Sequence, residues 1–148
     1  MCGYAGFYLN RKRTSQGEME KTITRMANSL EHRGPDDLGI WLDSNKPIAF
    51  GHRRLSIVDI SASGHQPMTS SNNKYVMAYN GEIYNHTQLR QELDLINSGL
   101  NWNGHSDTET LLAGFEVWGI KKTLGKIVGM FSIALWERDS HTLHLIRD

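Results

Sequence analysis

The chain has 148 residues, enough to bury one core and few enough for a single domain. Sixteen Lys+Arg balance sixteen Asp+Glu, with 39% hydrophobic and 22% charged residues. That balance argues against nucleic acid or an anionic membrane as the main partner, and one cysteine rules out an internal disulfide.

Taken in order, residues 2–8 (CGYAGFY) read as a short strand. Ser15-Gln16-Gly17-Glu18 is a capping-box pattern. Ile23, Met26, Ala27 and Leu30 follow at helical spacing, so a helix is expected to about Glu31, stopped by Gly34-Pro35. Leu38–Leu42, Pro47–Gly51 and Leu55–Ile60 are three short β-like runs, and residues 61–73 read as loop. Lys74–Tyr79 is a strand, which Asn80-Gly81 should end in a turn. Asn85 can cap a second helix with Leu89, Leu93 and Ile96 inward. Ser106-Asp107-Thr108-Glu109 is a second capping box, opening a helix with Leu111, Leu112 and Phe115 inward. Ile127–Trp136 should be a central strand buried on both faces, returning through Glu137–Ser140 into Thr142–Arg147. Strands with helices and tight turns between them predict an α+β layered domain. The chain ends at Arg147-Asp148 beside a strand, and is read as C-terminally incomplete.

The single cysteine, Cys2, sits directly behind Met1. Loss of Met1 would put a thiol and a free α-amine on one residue. With a pKa near ~8 the amine can take the thiol proton without a His or Asp. By position alone, Cys2 is better explained as a small buried hydrophobe. Thiolate attack on an amide needs oxyanion donors, which Asn80 (side chain) and Gly81 (backbone) can supply. An amino-acid substrate needs a carboxylate anchor, for which Arg54 is suited, and an acidic partner for its ammonium, for which Glu82 and Asp107 are available. Singly, each has a plainer explanation: a hairpin turn for Asn80-Gly81, a solvated pair for Arg53-Arg54, a helix-start residue for Asp107. Seven histidines are scattered without metal-ligand spacing, so no metal site is expected.

MCGYAGF, HRGPDDLGIW, GHRRLSIVDIS, GHQPM, YNGEIYN, SDTE and GMFSIALW…LIRD occur in this order over essentially the whole chain. Together they resemble the glutaminase domain of glutamine-hydrolysing asparagine synthetases, which are class II, N-terminal-nucleophile glutamine amidotransferases. The resemblance implies residues 1–148 as a partial amidotransferase domain with a four-layer α/β/β/α sandwich of two antiparallel sheets. It implies Cys2 as nucleophile and Asn80 and Gly81 as oxyanion hole. It also implies a glutamine-binding set of Arg54, Leu55, Ser56, Ile57, Val58, Asn80, Gly81, Glu82 and Asp107. No cofactor is expected in this stretch. ATP and Mg belong to the C-terminal synthetase domain of the complete protein, its expected partner, with aspartate the simplest acceptor. The single cysteine, which excludes an internal disulfide, fits a reducing, cytoplasmic setting, and a homodimer is left open. A sugar or other carboxylate as acceptor, or a non-catalytic module on the same fold, stands as the alternative. Ser132 stands where the family usually has a small apolar residue, and reads as a packing variant.

Overall fold

The computed structural model describes residues 2–9, 14–56 and 62–148. Two antiparallel sheets stack face to face, each covered outside by helix. The first sheet has the order β1 (Gly3–Tyr8), β3 (Ile48–Arg54), β2 (Asp37–Leu42). The second has the order β4 (Met68–Thr69), β5 (Tyr75–Ile83), β6 (Gly129–Glu137), β7 (Thr142–Arg147). Helix α1 (Gln16–Asn28) covers the first sheet, and α2 (His86–Ile96) and α3 (Asp107–Val117) cover the second. A short α4 (Ile120–Leu124) leads back to β6. The four-layer expectation therefore holds.

Strand alternation assigns each layer its side chains. On β3, Ile48 and Phe50 face the second sheet, where they meet Val76, Ala78, Ala134 and Trp136. The intervening Ala49 faces outward, against Met19 and Ile23 of α1. On β5, Tyr75, Met77 and Tyr79 turn the other way, against Leu111, Leu112 and Phe115 of α3. Residues 76, 78 and 80 of β5 thus share the inter-sheet face. Trp136 is fully buried there, and its indole N–H donates to the Asp43 carboxylate at 3.1 Å.

The capping box at Ser15 forms as expected: its hydroxyl accepts from Glu18 N, and Glu18 accepts from Ser15 N. The helix stops at Asn28 rather than near Glu31. There the Ser29 hydroxyl donates to Met26 O and Leu30 N–H bonds Ala27 O, tightening the turn before a 3-10 turn at Glu31–Arg33. Strand β3 is longer than Pro47–Gly51, because β1 and β2 pair with it on both sides as far as Arg53 and Arg54. Leu55 and Ser56 lie outside any strand, and 57–60 of that expected run fall outside the described residues. The 61–73 loop contains a 3-10 turn at Ala62–Gly64 and the two residues of β4.

Asn80-Gly81 is not a turn. β5 runs straight through it, because β6 pairs with all nine residues from Tyr75 to Ile83. Asn85 precedes α2 without capping it: its side chain instead donates to Lys126 O and accepts from Val128 N. Leu89 and Leu93 are buried but Ile96, the last residue of α2, is exposed. Ser106 caps α3 by accepting from Glu109 N. Glu109 does not reciprocate. It accepts instead from the backbone of Asn103 and Gly104 and pairs with Arg90 at 3.0 Å. Only Ile133–Trp136 of β6 is buried on both faces; Val128 and Met130 are exposed. Among the described residues, no helix is long and apolar enough to cross a membrane.

Candidate active site

A cleft of about 170 Å³ opens at one end of the interface between the sheets. Cys2, Arg54, Asn80, Gly81, Glu82 and Asp107 all line it. These residues come from four separate parts of the chain, and the register of the two sheets brings them together.

Cys2 precedes β1. Gly3 lies opposite Arg53 and Tyr4 opposite His52, so the same register carries Cys2 toward Arg54. The thiol is held by the residue that follows: Leu55 N–H donates to Cys2 Sγ at 3.3 Å, and the thiol donates weakly to Leu55 O at 3.7 Å. The HRGPDD motif sets that segment. Asp36 N–H bonds Arg54 O at 3.0 Å, and the Asp36 carboxylate accepts from Ser56 N at 2.8 Å. Gly34 is required there, because a Cβ would lie 2.4 Å from Arg53 O.

Arg53 and Arg54 are not a solvated pair. Both are buried, and their side chains point opposite ways along β3. Arg53 donates to Asn28 Oδ1 at 2.6 Å behind the sheet, while Arg54 turns into the cleft. Its guanidinium lies against Gly64, where a Cβ would come 2.0 Å from Nη2.

The edge of β5 explains Gly81. Tyr84 N–H bonds Val128 O, and β5–β6 partners keep that register, so even-numbered β5 residues bond β6. Odd-numbered residues direct N–H and C=O to the opposite edge. There β4 covers only Val76 and Met77. Beyond it side chains take over: Gln66 Oε1 accepts from Tyr79 N at 2.8 Å, and Asp107 Oδ2 accepts from Ile83 N at 3.0 Å. Gly81 N–H lies between those two, on the same edge, and faces the cleft. The glycine is needed for close approach rather than turning, since a Cβ would meet Met130 O at 2.3 Å. Asn80 shares the inter-sheet face with Ala78, on the side of Cys2.

Asp107 is the first residue of α3. Its Oδ2 also accepts from the Tyr79 hydroxyl at 2.7 Å. Burial, reinforced by the Asp107 charge, pushes the Tyr79 phenol far above its ordinary range, so it remains a donor. Glu82 is exposed on the cleft wall.

Of the expected set, Cys2, Arg54, Leu55, Asn80, Gly81, Glu82 and Asp107 meet at the cleft. Ser56 is not among the lining residues; it follows Leu55 and is held by the Asp36 carboxylate. Ile57 and Val58 lie outside the described residues. Gln66, Tyr79 and Gly64 also line the cleft and went unmarked in the sequence. The GHQPM motif that holds Gly64 and Gln66 was the available signal. His52 is buried behind them, with Nε2–H donating to Tyr79 O at 3.0 Å and Nδ1 without a hydrogen-bond partner among the described residues. Ser132 is no mere packing variant: its hydroxyl bonds the Tyr4 hydroxyl at 2.6 Å. No three His, Cys, Asp or Glu among the described residues gather as a metal site.

The first sheet brings a sulfur nucleophile beside a buried guanidinium. The second sheet and α3 bring a side-chain amide, a carboxylate and a backbone N–H that has no partner among the described residues. Such a cleft suits attack on the side-chain amide of a zwitterionic amino acid.

The model of the glutamine amidotransferase domain matches residues 1–148. The chain is 36% identical over its full length to asparagine synthetase [glutamine-hydrolyzing] 1 of Bacillus subtilis, covering 22% of that protein. It is 30% identical to amidase chry2 of Gibberella zeae, again over the full chain and 22% of the relative. The chain thus spans about a fifth of the length of these relatives. Among solved structures, glutamine phosphoribosylpyrophosphate amidotransferase of B. subtilis superposes with a TM-score of 0.53 at 27% identity, over 68% of this chain and 23% of that one.

Proposed function

Because this chain belongs to the glutamine amidotransferase domain family, we propose that it hydrolyses L-glutamine to glutamate and ammonia at Cys2. The observation that carries the reading is the convergence of Cys2, Arg54, Asn80, Gly81 and Asp107 at one cleft. With Met1 removed, the α-amine of Cys2 takes the thiol proton as sulfur attacks the amide carbon. The Asn80 side chain and Gly81 N–H hold the oxyanion. The amine then returns the proton to the leaving nitrogen, ammonia departs, and water cleaves the γ-glutamyl thioester. Arg54 holds the α-carboxylate, Asp107 and Glu82 serve the α-ammonium, and Leu55, Ser56, Ile57 and Val58 complete the proposed glutamine-binding set.

Residues 1–148 serve in this reading as the glutaminase part of an ATP-dependent asparagine synthetase. Similarity to the B. subtilis synthetase supports aspartate as the acceptor. ATP and Mg would be bound beyond this stretch, and the need for ATP favours the cytoplasm. The similarity to a fungal amidase supports, as the second reading, the same half-reaction feeding a different acceptor.

The test is Cys2→Ala in the full-length protein. Glutamine-dependent ammonia release should fall by at least ~10³-fold, with folding intact. Ammonia supplied directly should still yield product, and mass spectrometry of that product identifies the acceptor. Glutamine hydrolysis that survives in the variant would sink the reading.

A further inference from the structure

The space between the sheets is apolar, built from Ile48, Phe50, Val76, Ala78, Ala134 and Trp136. Two polar side chains cross it near the cleft. Tyr4 and His52 are direct partners across β1 and β3, so both project from the same face. His52 reaches Tyr79 O, and Tyr4 reaches Ser132 Oγ at 2.6 Å. The ends of these two contacts bracket Asn80. Tyr79 is its neighbour in sequence, and Ser132 is its partner across β5 and β6. At the other end, Tyr4 lies two residues from Cys2, on the same strand face. The Tyr4–Ser132 bond therefore joins the segment carrying the nucleophile to the position beside the oxyanion donor. Apolar packing alone allows layers to slide, whereas a hydrogen bond between two hydroxyls fixes both spacing and register.

We propose that the Tyr4–Ser132 hydrogen bond is a strut that sets the Cys2 sulfur against Asn80 and Gly81, making Tyr4 and Ser132 positioning residues for glutamine hydrolysis. The proposal rests on the glutaminase reading above. Neither residue touches substrate; each acts through the separation of two strands. Misplacing a nucleophile by a fraction of an ångström affects the chemical step and leaves the Arg54 and Asp107 contacts intact. The effect should therefore fall on kcat and spare KM.

The experiment uses full-length protein carrying Tyr4→Phe, Ser132→Ala, both together, or Ser132→Thr. It measures kcat and KM for glutamine, melting temperature, and the rate of Cys2 labelling by a diazo-ketone glutamine analogue. Each single variant should lower kcat and labelling about tenfold while KM stays within about twofold. The double variant should be no worse than either single one, because both remove the same bond. Ser132→Thr, which keeps the hydroxyl, should recover most of the rate. Single variants with wild-type kcat overturn the strut, as does a double variant whose loss is the product of the two. So does a fall in kcat explained entirely by a fall in the folded fraction. A wild-type protein that neither hydrolyses glutamine nor takes the label defeats the glutaminase reading, and this role with it. A wild type that does both while the variants match it defeats the strut alone.

Discussion

The backbone N–H of Leu55 points at the Cys2 sulfur from 3.3 Å. A donor so placed orients the thiol and strengthens as sulfur becomes negative, since hydrogen bonds to ionised acceptors are the stronger ones. Nothing about Leu55 as a residue type supplies this; the contact depends on where residues 54–56 are held. Asp36 holds them, with its N–H on Arg54 O and its carboxylate under Ser56 N.

Asp36 is exposed, so its replacement tests that anchoring without opening the core. Asp36→Ala should cost only about 1 kcal/mol of stability. It should nevertheless reduce kcat/KM for glutamine roughly tenfold, because the Leu55 donor is freed to wander. Asp36→Asn keeps an acceptor oxygen and should retain most of the activity. Steady-state kinetics beside thermal melts decide it, and equal activity in all three proteins would contradict the anchoring role.

Three glycines separate folding from binding. A Cβ on Gly81 would lie 2.3 Å from Met130 O, and one on Gly129 would lie 2.1 Å from Glu82 O. Both obstacles are backbone within one ladder and cannot step aside. Gly81→Ala and Gly129→Ala should each cost about 3 kcal/mol or more. At Gly64 the obstacle is instead the end of the Arg54 side chain, at 2.0 Å. Gly64→Ala should displace the guanidinium, raise KM for glutamine about tenfold, and change stability by only about 1 kcal/mol. Melts and KM values on the three variants test the contrast. An unaltered KM in Gly64→Ala would remove Arg54 from the binding site.

His52 makes stability depend on pH. Burial lowers its pKa to about 4, against the bond to Tyr79 O and the nearby Asp37 charge, which oppose the shift. The unfolded chain takes up this proton near pH ~6.5, whereas the native protein refuses it until about pH 4. The stabilisation is therefore complete above about pH 6.5 and is lost progressively as pH falls toward 4. It amounts to about 3 kcal/mol in all. Urea unfolding between pH 8 and pH 4.5 should show this loss in the wild type and a shallower one in His52→Gln. Matching pH dependence in the two proteins would rule His52 out as the source.

Elements whose signal is local were legible in the sequence. The Ser15 capping box, the buried Leu111, Leu112 and Phe115 face of α3, and the return from β6 into β7 depend on residues within a few positions of each other. The residue types for an amidase site were legible too, and the ordered motifs pointed to the family. The nature of the Asn80-Gly81 step was not, because a turn-forming dipeptide was overruled by nine residues of pairing with a strand that arrives about fifty positions later. For the same reason the sequence could not say that Gly81 serves close approach, that Arg53 and Arg54 face opposite sides of a sheet, or that Ser132 bonds Tyr4. Chemistry was encoded in residue identity. Its assembly was decided by strand register and layer stacking, which are set by burial summed over the whole chain and not by any one segment.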